Sequence, residues 1–331
     1  TFANITLTNV NSAILIYGYY NEEKSLNVTP QLAASYSSSN VTSLTPIWRN
    51  ITFSNITAWT STEAGMIWGR PEMLVSNVTL DHVTINSPKT FRIYNARGIK
   101  LVDTRIYPSK GKTYTLYNAE VSITNRSSGA PTVSIDGLTS SNALALYNAP
   151  ASMSSADLLG INPLTLSGSS FANNGALNLP ASTILNFAVG TNNSLLTEAG
   201  NLILNSRLNV SDGGGFKPDT YTLINYSGNL SGNPALGSTP INYNCNLNTT
   251  IPRYIKLIAH AQPSIIEGLN INENGNVIIS GKNGPANYSY YLLCSTNLTL
   301  PLNEWIALTS NNSDSLGNLS ITSSFRVGPQ M

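Results

Sequence analysis

A short alternating unit recurs in the first part of the chain and limits what the chain can fold into. It reads NITLTNV at residues 4–10, NITFSNI at 50–56 and NVTLDHV at 77–83. Apolar and polar residues alternate with a period of two, so Ile5 and Leu7 can be buried while Thr and Asn face outward. The pattern predicts β-strands. Because one such strand cannot bury its apolar side alone, its repetition predicts the stacked turns of a solenoid.

The spacing of the units indicates the length of a turn. The units that begin at Asn50 and Asn77 are 27 residues apart, within the roughly 20 to 30 residues that one solenoid turn takes. The unit at Asn4 precedes Asn50 by 46 residues, which predicts two turns between them. Outward Asn side chains are expected to stack in ladders at the turns. Further short strands are predicted at 13–20, 91–94, 99–106, 114–123 and 132–138.

Changes in the pattern of apolar and polar residues divide the chain into three segments. Residues 1–158 are predicted to form one parallel stack, with loops leaving it at 23–46 and 107–113. Residues 159–262 have simpler repeats and predict a second solenoid segment. Residues 263–331 contain short strands separated by Asn, Gly and Pro, which is typical of a small antiparallel sandwich. The predicted fold is all-β, a right-handed parallel β-helix followed by a small C-terminal antiparallel β-sandwich.

Composition excludes several classes of function. Charged residues make up 10% of the chain and the net charge is +1, so the basic surface that a nucleic-acid partner requires is missing. The surface is instead supplied by Asn, Ser and Thr, with 43 Asn residues, which suits a secreted or cell-surface β-protein. No apolar stretch is long enough for a transmembrane helix. Cys245 and Cys294 either form a disulfide or remain two unpaired thiols, and neither a metal site nor a cofactor is expected.

Several of these segments resemble a known enzyme family. The residues that carry the likeness are FANITLTNV at 2–10 with AILI at 13–16, WRNITFSNI at 48–56, and GRPE at 69–72 followed by VSNVTL at 75–80. They resemble the downstream coils of glycoside hydrolase family 28, the polygalacturonases and rhamnogalacturonases. The resemblance covers roughly 1–125 and implies a secreted parallel β-helix that hydrolyses pectin with inversion, with polysaccharide as its partner.

The catalytic motifs of that family are absent from this chain. They are Asn-Thr-Asp, Asp-Asp, Gly-His-Gly and Arg-Ile-Lys, and the family places them before the first strand seen here. The seven Asp residues are scattered singly. An inverting glycosidase needs a carboxylic acid and a carboxylate about 6.5–9.5 Å apart, and the sequence does not assemble such a pair. No catalytic residue is therefore assigned, and the chain by itself is expected to hydrolyse nothing.

Two residues are candidates for contact with substrate. Tyr20 falls where the family places a Tyr that packs on a sugar, although it could equally stack on the next coil. Arg70 could bind a galacturonate carboxylate through paired hydrogen bonds, with a surface ion pair to Glu72 as the alternative. His82 replaces the Asn of the other units and is interpreted as a turn residue.

The remaining segments leave two functions open. Residues 213–223 (GGGFKPDTYTL) resemble the β-solenoid repeats of autotransporter-type passenger domains, and 280–293 resemble C-terminal β-domains of exported bacterial proteins. The first hypothesis is a fragment of a pectin-degrading hydrolase. The alternative is a non-catalytic surface or passenger solenoid that binds polysaccharide or a protein partner.

Overall fold

The computed structural model describes residues 1–19, 35–127, 129, 131–138, 142–262 and 264–324. It is nearly all β, with 61% of residues in strands and 3% in helices. A parallel β-solenoid of about seven turns is followed by antiparallel sheets towards the C-terminus. The fold class predicted from the alternating pattern is confirmed.

The strands are closely spaced along the chain, and their lengths range from two to 20 residues. In the first half they are β1 (Phe2–Tyr17), β2 (Arg49–Trp68), β3 (Val75–Ser87), β4 (Phe91–Val102), β5 (Arg105–Pro108), β6 (Tyr114–Thr124), β7 (Val133–Gly137), β8 (Asn142–Tyr147), β9 (Ala151–Ser154), β10 (Ile161–Ser167) and β11 (Ser170–Asn174). They continue as β12 (Leu177–Leu179), β13 (Ile184–Val189), β14 (Leu195–Glu198), β15 (Leu202–Leu204), β16 (Arg207–Asp212), β17 (Asp219–Tyr226), β18 (Leu230–Ser231), β19 (Ala235–Leu236), β20 (Tyr243–Asn248) and β21 (Tyr254–Ala261). The last five are β22 (Ile265–Ile271), β23 (Asn276–Lys282), β24 (Ser289–Cys294), β25 (Ile306–Asn312) and β26 (Leu319–Ser324). Helical elements in the described ranges include α1 (Ser155–Leu158) and a 3-10 turn at Leu302–Glu304.

The core of the solenoid is a set of apolar columns that run from turn to turn. One column consists of side chains paired in register on β4, β6, β8, β10, β13 and β16: Ile99, Val121, Leu144, Leu164, Leu185 and Leu208. All six are almost completely buried. Burying one such side chain contributes about 1.5–3 kcal/mol, so the inward half of the alternating pattern holds the turns together.

The register of the first two turns differs from the prediction. β1 pairs directly with β2, with Phe2 opposite Phe53 and Ile5 opposite Ile56. Asn4 therefore lies beside Asn55 and not Asn50, and one turn, not two, separates the two units. The unit carries an Asn at its first and sixth positions, so an alignment shifted by five residues looks equally good in sequence. The predicted pairing of the other two units is confirmed, because Ile51 lies opposite Val78.

Asn residues form ladders, as expected, at left-handed bends inside β1, β2 and β3. The amide nitrogen of Asn55 donates to the side-chain oxygen of Asn4 at 2.7 Å, and Asn77 donates to Asn50 at 3.3 Å. These four residues have φ between 51° and 58°, the left-handed region that Asn, Asp and His tolerate better than other residues with a side chain. The same residue type therefore serves both the bend and the hydrogen bond to the next turn.

Two compact units divide the chain. The first contains Thr1–Phe216, Thr222–Ser238 and Leu247–Lys256, and the second contains Lys217–Tyr221, Thr239–Asn246 and Leu257–Met331. Within the second unit, β22, β23 and β26 form one antiparallel sheet and β24 and β25 form another. Cys245 and Cys294 belong to this unit, and both are free thiols. The unpaired alternative is the one that the structure contains.

Strand pairing continues across the predicted boundary at 158/159. β10 pairs in parallel with β8, and Leu164 lies opposite Leu144. Whether residues 1–158 and 159–262 behave as separate domains stays a prediction. None of the helices in the described ranges has the length and hydropathy needed to cross a bilayer.

Candidate functional site

A groove of about 720 Å³ lies on the outer surface of the solenoid, beside the second to fifth turns. Strand register brings its walls together, because Thr57, Thr84 and Arg105 are successive partners in the ladder of β2, β3 and β5. Strands in a sheet are about 4.8 Å apart, so each turn adds one side chain to the groove at that interval. The lining residues are Asn55, Thr57, His82, Thr84, Asp103, Arg105, Arg126 and Ser127.

A histidine between two carboxylates forms one wall of the groove. His82 Nδ1 is 2.7 Å from Asp81 Oδ1, and His82 Nε2 is 3.7 Å from Asp103 Oδ2. A carboxylate can only accept, so the close contact places a proton on Nδ1. Nε2 lies too far from Asp103 for a direct hydrogen bond. Nε2 is therefore available to form a hydrogen bond with a ligand hydroxyl, since the side chain of His82 is 61% exposed.

The backbone bend explains how His82 and Asp103 come to lie side by side. Both have left-handed φ, 54° and 46°, at the same corner of successive turns, where Asn55 stands one turn earlier. The interpretation of His82 as a turn residue agrees with this conformation. Asp103 is further fixed by the backbone N–H of Arg126, which donates to its Oδ1 at 2.8 Å. The side chain of Asp103 is only 9% exposed, so it serves mainly to position its neighbours.

Two guanidinium groups supply positive charge. Arg105 donates from Nη2 to the hydroxyl of Ser127 at 3.2 Å, and it forms no ion pair with any residue in the described part of the chain. Arg126 lies 4.0 Å from Asp81 Oδ1, and its side chain is 62% exposed. Weak, exposed pairs of this kind add little to stability. Both guanidinium groups are therefore able to bind an anionic ligand.

The two residues predicted from sequence to bind substrate do not line this groove. Tyr20 lies outside the described residues. Arg70 donates from Nε to Glu72 Oε1 at 2.7 Å, and its guanidinium carbon lies 4.7 Å from the centroid of the Tyr19 ring. The ion pair that was the alternative for Arg70 is thus formed, but it is largely buried and not at the surface as predicted, since the side chains of Arg70 and Glu72 are 18% and 4% exposed.

The environment of Arg70 is a packed cluster and not an open cleft. Tyr19, Trp68 and Tyr94 are almost completely buried there together with Met66. Burial would raise the pKa of Glu72, but the hydrogen bond from Arg70 and the backbone N–H groups of Glu72 and Ser39 outweigh it, and the pKa is lowered. Glu72 is therefore ionised at neutral pH and holds Arg70 in place.

A pair of carboxyl groups lies elsewhere on the solenoid. Asp136 on β7 is hydrogen-bonded to Asp157 in α1. Burial is the largest cause that raises the pKa of Asp136 to about 6, followed by the hydrogen bond and the charge of Asp157, while Lys112 lowers it. Asp157 also contacts the hydroxyl of Ser154 at the N-terminus of the helix.

Neither set of carboxylates matches the geometry of an inverting glycosidase. Asp136 and Asp157 are in hydrogen-bonding contact, whereas acid and base need about 6.5–9.5 Å to admit a water molecule. Between Asp81 and Asp103 the imidazole of His82 occupies that space. The groove is equipped to bind hydroxyl and carboxylate groups, and it lacks an acid–base pair with room for water.

Sequence reasoning missed the groove residues because their signals are separate in the chain. Asp103, Arg105 and Arg126 are ordinary polar residues in sequence, and only the register of the turns brings them to His82. The one available signal was His82 itself, a titratable residue at a position where the other units carry Asn. Among the described residues, no group of three or more His, Cys, Asp or Glu side chains could hold a metal ion.

Comparison with known proteins does not assign the chain to a family. No family model matches the sequence, no curated protein matches it, and no solved structure matches it.

Proposed function

We propose that this chain is a polysaccharide-binding solenoid of a secreted or cell-surface protein and that its ligand is an acidic polysaccharide of the pectin type. The observation that carries the proposal is the groove in which Arg105, without a carboxylate partner among the described residues, lies beside the exposed His82 and Arg126. A guanidinium can bind a uronate carboxylate through paired hydrogen bonds. Imidazole, Thr and Asn side chains can bind the sugar hydroxyls.

The repeat of the solenoid suits a polymeric ligand. Successive turns present polar side chains at intervals of about 4.8 Å, so a chain of sugars that lies along the groove meets a similar surface at each step. The low charge of the whole protein, 10% of residues, means that the guanidinium groups of the groove stand out from a mostly neutral surface. Binding is expected to weaken with salt, because exposed charges are screened.

The pectin hydrolysis that the family resemblance implies belongs, in this proposal, to the intact protein. Asp136 and Asp157 are in direct contact, and His82 fills the space between Asp81 and Asp103, so neither pair leaves room for the water that inversion needs. We therefore expect no release of reducing ends from polygalacturonate by the purified chain. Release above that of a mock preparation would overturn this part of the proposal.

Titration calorimetry with two forms of one polymer tests the binding. Polygalacturonate is compared with its fully methyl-esterified form, which keeps the backbone and loses the charge. We expect binding to the acid form only, and we expect Arg105→Gln to weaken it about tenfold because one charge-assisted pair is lost.

Arg207→Gln is the matched control. Arg207 is an exposed Arg on β16 of the same solenoid, and it does not line the groove. This variant should bind as the unchanged protein does. Equal binding of the esterified polymer, or equal losses in the Arg105 and Arg207 variants, would contradict the proposal.

A further inference from the structure

We propose a second sugar-binding depression on the solenoid, in which Tyr147 stacks on a sugar ring and Lys100 binds the carboxylate of a uronic acid. The inference rests on the proposed function, because it assigns a further subsite for the same acidic polysaccharide. The depression is formed by a different part of the turns from the groove around His82.

The floor of the depression is made of small side chains. Lys100, Ser122, Ala145 and Thr165 are successive partners in register on β4, β6, β8 and β10. These four side chains form one outward-facing column. In the neighbouring outward-facing column, two residues away on each strand, Glu120 lies opposite Ala143. Because the middle of these columns carries Ser and Ala while the sides carry longer residues, a depression of about 390 Å³ is left.

Tyr147 provides an aromatic surface at the side of this floor. Its partners in register are Thr124 and Ser167, and both are too small to cover a phenol ring. The residue is 39% exposed. An aromatic ring with a polar hydroxyl offers both a flat apolar face and a hydrogen-bonding group. That combination suits a pyranose, which has an apolar face and hydroxyls around its edge.

Two charged side chains at the edge complete the chemistry. Lys100 and Glu120 are exposed, and neither makes an ion pair with another residue in the described ranges. Lys100 can therefore bind a sugar carboxylate, while Glu120 can accept hydrogen bonds from hydroxyls. A polymer with both carboxylate and hydroxyl groups uses both residues.

The depression is linked to the groove through the chain itself. Lys100 lines the depression and stands three residues before Asp103, which lines the groove. One turn of the solenoid thus contributes to both sites. A long ligand can occupy both at once, and the second contact then raises the affinity through a high effective concentration.

Oligogalacturonides of two lengths separate the two sites. A trisaccharide is short enough to occupy the groove alone, whereas an oligomer of about a dozen residues spans both. We expect Tyr147→Ala and Lys100→Gln each to lower the affinity for the long oligomer about tenfold and to leave the affinity for the trisaccharide unchanged. Arg105→Gln should lower both.

Tyr254→Ala is the control, since Tyr254 is a comparably exposed Tyr with Lys256 5.2 Å from its ring centroid. It should bind both ligands normally. If the Tyr147 and Lys100 variants bind the long oligomer normally while the Arg105 variant is impaired, the second depression is refuted and the proposed function stands. If the unchanged protein binds neither oligomer, both fail. Lys100→Gln changes an exposed residue, so it decides the matter even if Tyr147→Ala unfolds.

Discussion

At the scale of single residues, the stability of the fold depends on pH, and the clearest case is Asp136. Burial first, and then its contact with Asp157, raises the pKa of Asp136 from 3.8 to about 6. The folded protein thus holds this proton more tightly than the unfolded chain does. The stability that protonation provides is present in full below about pH 4 and is lost as the pH rises towards 6.

Replacing the carboxyl group should remove this dependence. A shift of about two pKa units corresponds to at most about 3 kcal/mol, and solvent around a partly exposed carboxyl group reduces it to about 1 kcal/mol. We expect Asp136→Asn to raise the free energy of unfolding by that amount at pH 7.5 and to change it little at pH 4. Urea unfolding at pH 4, 5, 6 and 7.5 measures it.

The control for that experiment is Glu120→Gln, which removes an exposed carboxylate from β6. It should keep the slope of the unchanged protein between pH 4 and 6. If Asp136→Asn also keeps that slope, another group causes the pH dependence, and the carboxyl pair does not control stability.

The carboxyl pair also shows where sequence information ends at this scale. Asp136 and Asp157 are separated along the chain by the strands β8 and β9 and the start of α1, and nothing in either local sequence marks them as partners. Their contact depends on which residue of one turn stacks on which residue of the next. The contact between His82 and Asp103 could not be predicted for the same reason, although the sequence shows that both residues are polar and titratable.

At the scale of strands and bends, the Asn ladder is the element that fixes each corner. Asn95 is buried with φ of 47°; its amide donates to the Gly69 carbonyl at 3.1 Å, and it accepts from Asn118 at 2.8 Å. Three consecutive turns are joined by these two bonds. The corner therefore depends on both a tolerated left-handed backbone and a side chain that hydrogen-bonds in both directions.

Two substitutions at Asn95 separate these contributions. Asn95→Ala loses two hydrogen bonds, at about 1 kcal/mol each, and puts a residue with a Cβ but no polar group in a left-handed conformation that costs about 1 kcal/mol more. We expect a loss of about 3 kcal/mol by thermal or urea unfolding. Asn95→Gly loses the same bonds without the strain, so its loss should be about 1 kcal/mol smaller. Equal losses would show that backbone strain is not part of the corner.

Strand positions were largely predictable, whereas the pairing of strands was only partly so. Period-two alternation placed strands at 114–123 and 132–138, close to the observed β6 and β7, and at 91–94, inside the longer β4. Alternation of apolar and polar residues is a local property, so it can be recognised directly in the sequence. Pairing of Asn4 with Asn55 was missed because the unit repeats its Asn after five residues. In addition, β1 and β2 pair at an offset of 51 residues, from Phe2 to Phe53, well beyond the 27 residues that the other two units indicate for one turn.

For the whole molecule, the main question is whether the solenoid is one cooperative body across residues 158 and 159. The texture of the sequence changes there, yet Leu144 on β8 and Leu164 on β10 belong to one continuous apolar column. In a stack of turns, stability comes from each turn and from its contacts with the next. A boundary in composition therefore need not be a boundary in folding.

Leu164→Ala tests this directly. The substitution should cost about 2–5 kcal/mol, because it opens a cavity in a buried column, and the loss should pass to the turns on both sides. Hydrogen exchange followed by mass spectrometry should then speed up in β8 as well as in β13, while Ile203→Ala, which trims an exposed side chain on β15, should change neither. If exchange accelerates only in residues 161–189 and β8 keeps its protection, the two segments fold independently. The change of sequence texture would then mark a true domain boundary inside a continuous sheet.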